Sequence, residues 1–196
     1  LEHIMVIQKY QHISSVSKLP LDDVINGMTS NMIDSLMIRL ADSRGIGVPM
    51  TNRRKRTGHI EGGYVHSLDP GLYEWVCVLD FKSMYPSIMI SNNICSTTLV
   101  RDGSEDDSHS VSPVTNTRYI SKEERLGLVP QLLQGLMDSR DRHKAALEKA
   151  NEEGDDAEAF LQDQLQYAVK ILMNSFYGVF ASNFYRFTHP SLGASI

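Results

Sequence analysis

The chain has 196 residues, 41% hydrophobic and 22% charged, the composition of a soluble globular protein of one domain or two small ones. No apolar run is long enough to cross a bilayer, and the opening residues show no basic stretch followed by an apolar core, so neither a membrane span nor a signal peptide is expected. The net charge of -5 argues weakly against a nucleic-acid partner, although Arg53–Arg56 and the set Arg140, Arg142 and Lys144 are local basic clusters. The two cysteines, Cys77 and Cys95, lack CxxC spacing and a neighbouring histidine cluster. That argues against zinc or a disulfide framework, and Cys77, inside an apolar run, reads as a buried free thiol.

Residues 1–50 read mostly as helix. Ser30 is placed to cap a helix carrying Met32, Ile33, Leu36, Met37 and Leu40 at helical period, and Gly45 and Gly47 end it. Thr51 to His59 is polar and basic, a loop or linker. Gly62-Gly63 and Pro70-Gly71 are turn signals, with a short strand possible over Tyr64, Val65 and His66. Trp75-Val76-Cys77-Val78-Leu79 is short, continuous and apolar, the pattern of a buried strand. It runs into Asp80, after which Pro86 is suited to the first turn of a helix through Ile88, Met89 and Ile90. Residues 101–118 read as a surface loop or irregular hairpin. Two long helical patterns follow, about Pro130–Ala150 and Ala157–Ala181, joined by the acidic tip 151–156 as an antiparallel hairpin.

Two places carry candidate chemistry. An aspartate directly after a buried strand is held at a sheet edge, where its carboxylate can ligate a hard cation such as magnesium. The plainer reading is that Asp80 caps the following helix or accepts loop N–H bonds. In the second long helix Lys170, Asn174 and Tyr177 recur at i, i+4 and i+7 on one face, while Leu165, Val169, Leu172 and Phe176 lie on the other. In the first long helix Leu133, Leu136 and Met137 give way to Arg140 and Lys144, one turn apart. If the helices pack antiparallel, Arg140, Lys144 and Lys170 can converge on one anion, each charge-assisted contact contributing roughly 1.5–3 kcal/mol. The alternative is a solvated amphipathic hairpin with ordinary surface cations.

The wording of these segments is specific. Asp80-x-x-Ser83-Met84-Tyr85-Pro86-Ser87-Ile88 resembles motif A of family B DNA polymerases, D-x-x-S-L-Y-P-S-I-I, with Met84 and Met89 as volume-conserving replacements. Lys170-x-x-x-Asn174-Ser175-x-Tyr177-Gly178 resembles motif B of that family at every named position. Val129-Pro130 through Arg140-x-x-x-Lys144 is similar to the first helix of the family's fingers, and Pro190 to Ile196 to the helix that re-enters the palm. Ile60-Glu61-Gly62-Gly63 resembles the Y-x-G-G element that contacts the template strand, with Ile60 in place of the tyrosine.

The resemblance implies an α+β fold: a partial palm sheet with an antiparallel two-helix fingers hairpin. It divides the chain into a linker and helical segment after an exonuclease domain (1–59), the first part of the palm (60–120), the fingers hairpin (121–182) and the start of the return to the palm (183–196). It implies template-directed nucleotidyl transfer from a deoxynucleoside triphosphate (dNTP) to a primer 3′-hydroxyl, assisted by two Mg2+ ions in the complete active site. Asp80 and the carbonyl of Phe81 would hold metal. The backbone amides of Ser83 and Met84 would meet the triphosphate. Tyr85 would be a steric gate under the sugar, rejecting a 2′-hydroxyl by collision. Arg140 and Lys144 would grip the outer phosphates. Lys170 would touch the triphosphate and protonate the leaving pyrophosphate. Asn174 would contact the nucleotide or brace that face. Tyr177 and Gly178 would lie near the nascent base pair, and Gly62 and Gly63 near DNA, with primer-template DNA and dNTP as partners.

The family's second acidic motif, Y-G-D-T-D-S, does not occur in this sequence, nor does an exonuclease D-x-E motif. The expectation is a polymerase fragment, inactive alone, whose remaining exonuclease, palm and thumb parts belong to the same polymerase or to a complementary subunit. The alternative is a nucleotide- or DNA-binding module without catalysis of its own. Location would be the nucleoid of a prokaryotic cytoplasm, or a eukaryotic nucleus.

Overall fold

The computed structural model describes residues 2–50, 66–101, 106–182 and 185–196. Three helices open the chain: α1 (Glu2–Ser17), α2 (Leu21–Asn26) and α3 (Thr29–Ser43). Further along the chain come α4 (Met84–Ser91), a short hairpin of β1 (Ser110–Val111) and β2 (Arg118–Tyr119), the long helices α5 (Leu128–Glu153) and α6 (Asp156–Phe180), and α7 (Pro190–Ala194). The fold is α+β, mostly helical, with one two-stranded antiparallel sheet among the described residues; Ser110 pairs with Tyr119 and Val111 with Arg118.

The helix α6 lies at the centre, and α1, α3, α4 and α5 all pack on it. Its sequence explains why. Val169, Met173 and Phe176 face one core, shared with Ile33 and Met37 of α3 and Leu133 of α5. Ala168 and Leu172 face a second, with Ile13 of α1, Val24 of α2 and Met32 of α3. Two apolar flanks leave a single stripe open to solvent, and Lys170, Asn174 and Gly178 occupy it.

The hairpin tip follows ordinary capping chemistry. Gly154 takes the left-handed conformation at φ 72° that closes α5. Asp155 then caps α6, its carboxylate accepting the Glu158 amide at 3.0 Å. Two side-chain pairs fix the sense of the hairpin. Arg140 Nε donates to Gln166 Oε1 at 3.3 Å, and His143 Nδ1 meets Gln162 Oε1 at 2.7 Å. One residue number rises as its partner's falls, so the helices run antiparallel.

Several expectations need correction. The run Trp75–Leu79 is neither a strand nor buried: it is irregular backbone, with Trp75 98% and Leu79 89% exposed, and the Cys77 thiol is exposed with them. A strand needs a hydrogen-bonded neighbour and a covering layer, and among the described residues neither flanks this segment. Trp75 at φ 60° also departs from extended geometry. The helix α3 starts at Thr29 rather than after Ser30, and Met28 at its N-cap offers no side-chain cap. Pro86 sits in the first turn of α4 as expected, but that helix begins two residues earlier. The 101–118 segment needs no such correction: it carries β1 and runs into β2, the irregular hairpin of the two readings. The possible strand at Tyr64–His66 reduces to His66, which lies in no strand; Tyr64 and Val65 fall outside the described residues, as do Arg53–Arg56, Gly62 and Gly63.

Candidate functional site

The turn carrying Asp80 is shaped by Ser83, which adopts the left-handed conformation at φ 51° and is the N-cap of α4 without capping through its side chain. Asp80 therefore does not cap that helix; its side chain is exposed. The first α4 hydrogen bond runs from the Ser87 amide to the Ser83 carbonyl at 2.9 Å, and Ser87 Oγ donates to the Lys82 carbonyl at 3.1 Å. The amides of Met84 and Tyr85, in the first turn, have no intrahelical acceptor.

Two contacts lay this turn against one edge of the α5–α6 hairpin. Lys82 Nζ reaches Asp141 Oδ2 of α5 at 3.0 Å, and the ring of Tyr85 stacks on that of Tyr177 of α6 with centroids 4.6 Å apart and planes within 5°. The ion pair is exposed on both sides and contributes at most about 1 kcal/mol. The ring stack is the firmer tie, at about 0.5–1.5 kcal/mol beyond burial.

The same edge carries the cations. Arg140 is half-buried against Gln166, while Lys144 and Lys170 are exposed. Lys144 lies one turn beyond Arg140 on α5. Lys170 lies one turn beyond Gln166 on α6, which in an antiparallel pair places it one turn to the other side of Arg140. The three charges thus span about 12 Å of helix axis, at 1.5 Å per residue, within reach of one extended polyanion given side chains of this length. Asn174 and Gly178 continue the stripe towards Tyr177 and α4, both exposed. The expected site residues from Asp80 to Tyr85 and from Arg140 to Gly178 are thus gathered on one side of the hairpin.

Magnesium binding asks for oxygen donors in near-octahedral array. The Asp80 carboxylate and the Phe81 carbonyl are donors of that class, and both residues are exposed. They make an incomplete set. Among the described residues no group of three or more His, Cys, Asp or Glu is placed to hold a metal ion.

Some residues that build the site give no signal of their chemistry in the sequence. Asn93, 1% exposed and at φ 53°, donates through Nδ2 to the carbonyls of Ile120 (2.7 Å) and Arg125 (2.9 Å) and accepts the Gly127 amide at 2.9 Å. It joins the end of α4 to the N-cap of α5, so it sets the turn of Asp80 relative to the helix of Arg140. The one available signal is its type, since asparagine tolerates the left-handed region just past a helix end. Arg186, after α6, pairs with Asp34 of α3 at 2.9 Å and donates to the Pro49 carbonyl at 3.5 Å, tying the segment after α6 to α3 and to the stretch that follows α3. Burial raises the Asp34 carboxyl above its ordinary value, and the Arg186 guanidinium only partly offsets this.

A family model described as DNA polymerase family B matches residues 19–195. "DNA polymerase 1" of Pyrococcus abyssi is 34% identical over 167 residues, 82% of this chain and 21% of that protein. The DNA polymerase delta catalytic subunit of Drosophila melanogaster is 32% identical over 189 residues, 91% of this chain and 17% of that protein. The chain thus spans about a fifth of the length of these curated relatives. The solved structure of the family B DNA polymerase from Pyrobaculum calidifontis superposes with a TM-score of 0.79 at 29% identity, covering 97% of this chain and 25% of that one. No helix among the described residues is long and apolar enough to cross a membrane.

Proposed function

Because the chain belongs to DNA polymerase family B, we propose that it is the dNTP-capturing part of a DNA-directed DNA polymerase. The observation that carries this reading is the double tie, Lys82 to Asp141 and Tyr85 to Tyr177, that holds the Asp80 turn beside the edge bearing Arg140, Lys144 and Lys170. A triphosphate lying along that edge meets three cations, which neutralise it and fix its register. Its sugar then lies towards Tyr85 and its base towards Tyr177 and Gly178. Lys170 is the one cation on the stripe that leads to Asn174, and it is the group we assign to donate a proton to the departing pyrophosphate. Gly62 and Gly63 are assigned to template contact through their amides.

Asp80 and the Phe81 carbonyl would hold Mg2+ together with carboxylates that this sequence does not contain. When bound, the metal would supply Lewis-acid stabilisation of the reacting phosphate oxygens. Without the second acidic motif, the 196-residue chain in this reading binds nucleotide but does not extend primers. The remaining palm, exonuclease and thumb parts are partners in this reading. The exposed apolar run from Trp75 to Leu79 is where we seat the remaining part of the palm, since a contiguous exposed apolar run on a polymerase piece suits a contact surface.

The test is a titration of the chain with Mg·dATP, followed by calorimetry or fluorescence. Arg140→Ala and Lys170→Ala are each expected to weaken binding about tenfold. Unchanged affinity in both variants refutes the triphosphate assignment. Primer extension by the chain alone is expected to give no product; robust metal-dependent extension would refute the missing-carboxylate reading.

A further inference from the structure

Resting on the polymerase reading, we propose that Tyr177 is a positioning residue for sugar selection: its ring backs the ring of Tyr85 and holds it where a 2′-hydroxyl collides. The carrying observation is the stack, with centroids 4.6 Å apart and planes within 5°. At that spacing nothing fits between the rings, so one face of Tyr85 is covered and a sugar can approach only the other face or the edge.

The two tyrosines are unequally held. Tyr177 sits on α6 between Phe176 and Phe180, which are 0% and 3% exposed, so its backbone is locked into the core. Tyr85 is 36% exposed, in the first turn of a short helix that starts from a left-handed serine. Its hydroxyl has no hydrogen-bond partner among the described residues. The contact with Tyr177 is therefore what orients its ring. A gate that works by collision discriminates only as well as it resists displacement, because a ring that yields by an ångström admits one more oxygen. The resistance comes through Tyr177, which never touches the sugar. The stack also joins α4 to α6, so the gate is placed by the helix that carries Lys170 and Asn174 rather than by its own turn.

The experiment compares insertion of dATP and ATP by the full-length polymerase that carries this segment, with single-turnover rate and affinity measured for each. Tyr177→Ala is expected to lower the deoxy preference about three- to tenfold, the range of a lost aromatic pair. Tyr177→Leu, which fills the space without a flat face, is expected to do the same and covers the case in which the alanine variant folds poorly. Tyr177→Phe is expected to keep the preference. In a Tyr85→Ala background, where no gate remains, Tyr177→Ala is expected to change the ratio no further. A purely structural role would slow both nucleotides alike and leave the ratio unmoved, and that result overturns the proposal. So does full additivity in the double variant. Failure of the unsubstituted polymerase to extend a primer removes the polymerase reading and this inference with it; normal extension with an unmoved ratio removes the inference alone.

Discussion

Replacing Asn93 with alanine tests how the site is assembled. The side chain donates to the Ile120 and Arg125 carbonyls and accepts the Gly127 amide, all at 2.7–2.9 Å, in a residue 1% exposed. Each bond contributes about 1 kcal/mol net, and stranding a buried amide such as that of Gly127 costs about 1–3 kcal/mol. Alanine at φ 53° adds about 1 kcal/mol of left-handed strain. Asn93→Ala is therefore expected to lose about 3–5 kcal/mol, a large share of a typical domain's 5–15 kcal/mol. Asn93→Gly forfeits the same bonds but not the backbone conformation, so it should be about 1 kcal/mol less damaging. Urea unfolding followed by circular dichroism reads both, with the slope checked for constancy. A loss below about 1.5 kcal/mol, or an alanine variant no worse than the glycine one, refutes the claim that Asn93 joins α4 to α5.

Gly127→Ala would place a Cβ 2.7 Å from Cys95 Cβ and 3.2 Å from Pro130 Cδ, so the start of α5 must shift; thermal melting should show a loss of about 1–3 kcal/mol, and an unchanged midpoint would contradict the packing. Phe176→Ala removes a ring at 0% exposure from the main core and should cost about 3–5 kcal/mol by urea titration, whereas exposed Lys82→Ala should cost less than about 1 kcal/mol, with salt erasing the difference. Equal losses would refute the ranking of core above surface tie. The Asp34 carboxyl is raised above 3.8 mainly by burial, so the fold binds its proton more tightly than the unfolded chain does. Its contribution is full below pH 3.8 and declines as pH rises through the raised value; Asp34→Asn should remove that decline when stability is followed upward from pH 3.8, and parallel wild-type and variant curves would show the sign to be wrong.

Much of the helical architecture is legible along the chain. The apolar positions Ile33, Met37, Leu133, Val169, Leu172 and Phe176 recur at helical period and all are buried. The same period puts Lys170, Asn174 and Tyr177 on a separate stripe, and motif wording assigns that stripe a chemistry. Helix ends at Gly45 and Gly154 are readable because both take positive φ, 63° and 72°. The failure at Trp75–Leu79 has the opposite character. Apolar content reports a wish for burial, while a strand exists only if another strand and a cover are there to meet it.

What this sequence determines by itself is therefore local and periodic: which residues share a helix face, where the hairpin turns, and which short motifs identify the family. Tertiary structure alone decided that the Asp80 turn lies over the cationic edge, that Tyr85 meets Tyr177, and that Asn93 joins α4 to α5. The reason is sequence separation. Residues one helical turn apart are neighbours by backbone geometry, so their pattern is written in the chain. Tyr85 and Tyr177 become neighbours only because buried apolar flanks press α4 and α6 together, and nothing at either position alone records where that packing brings its partner.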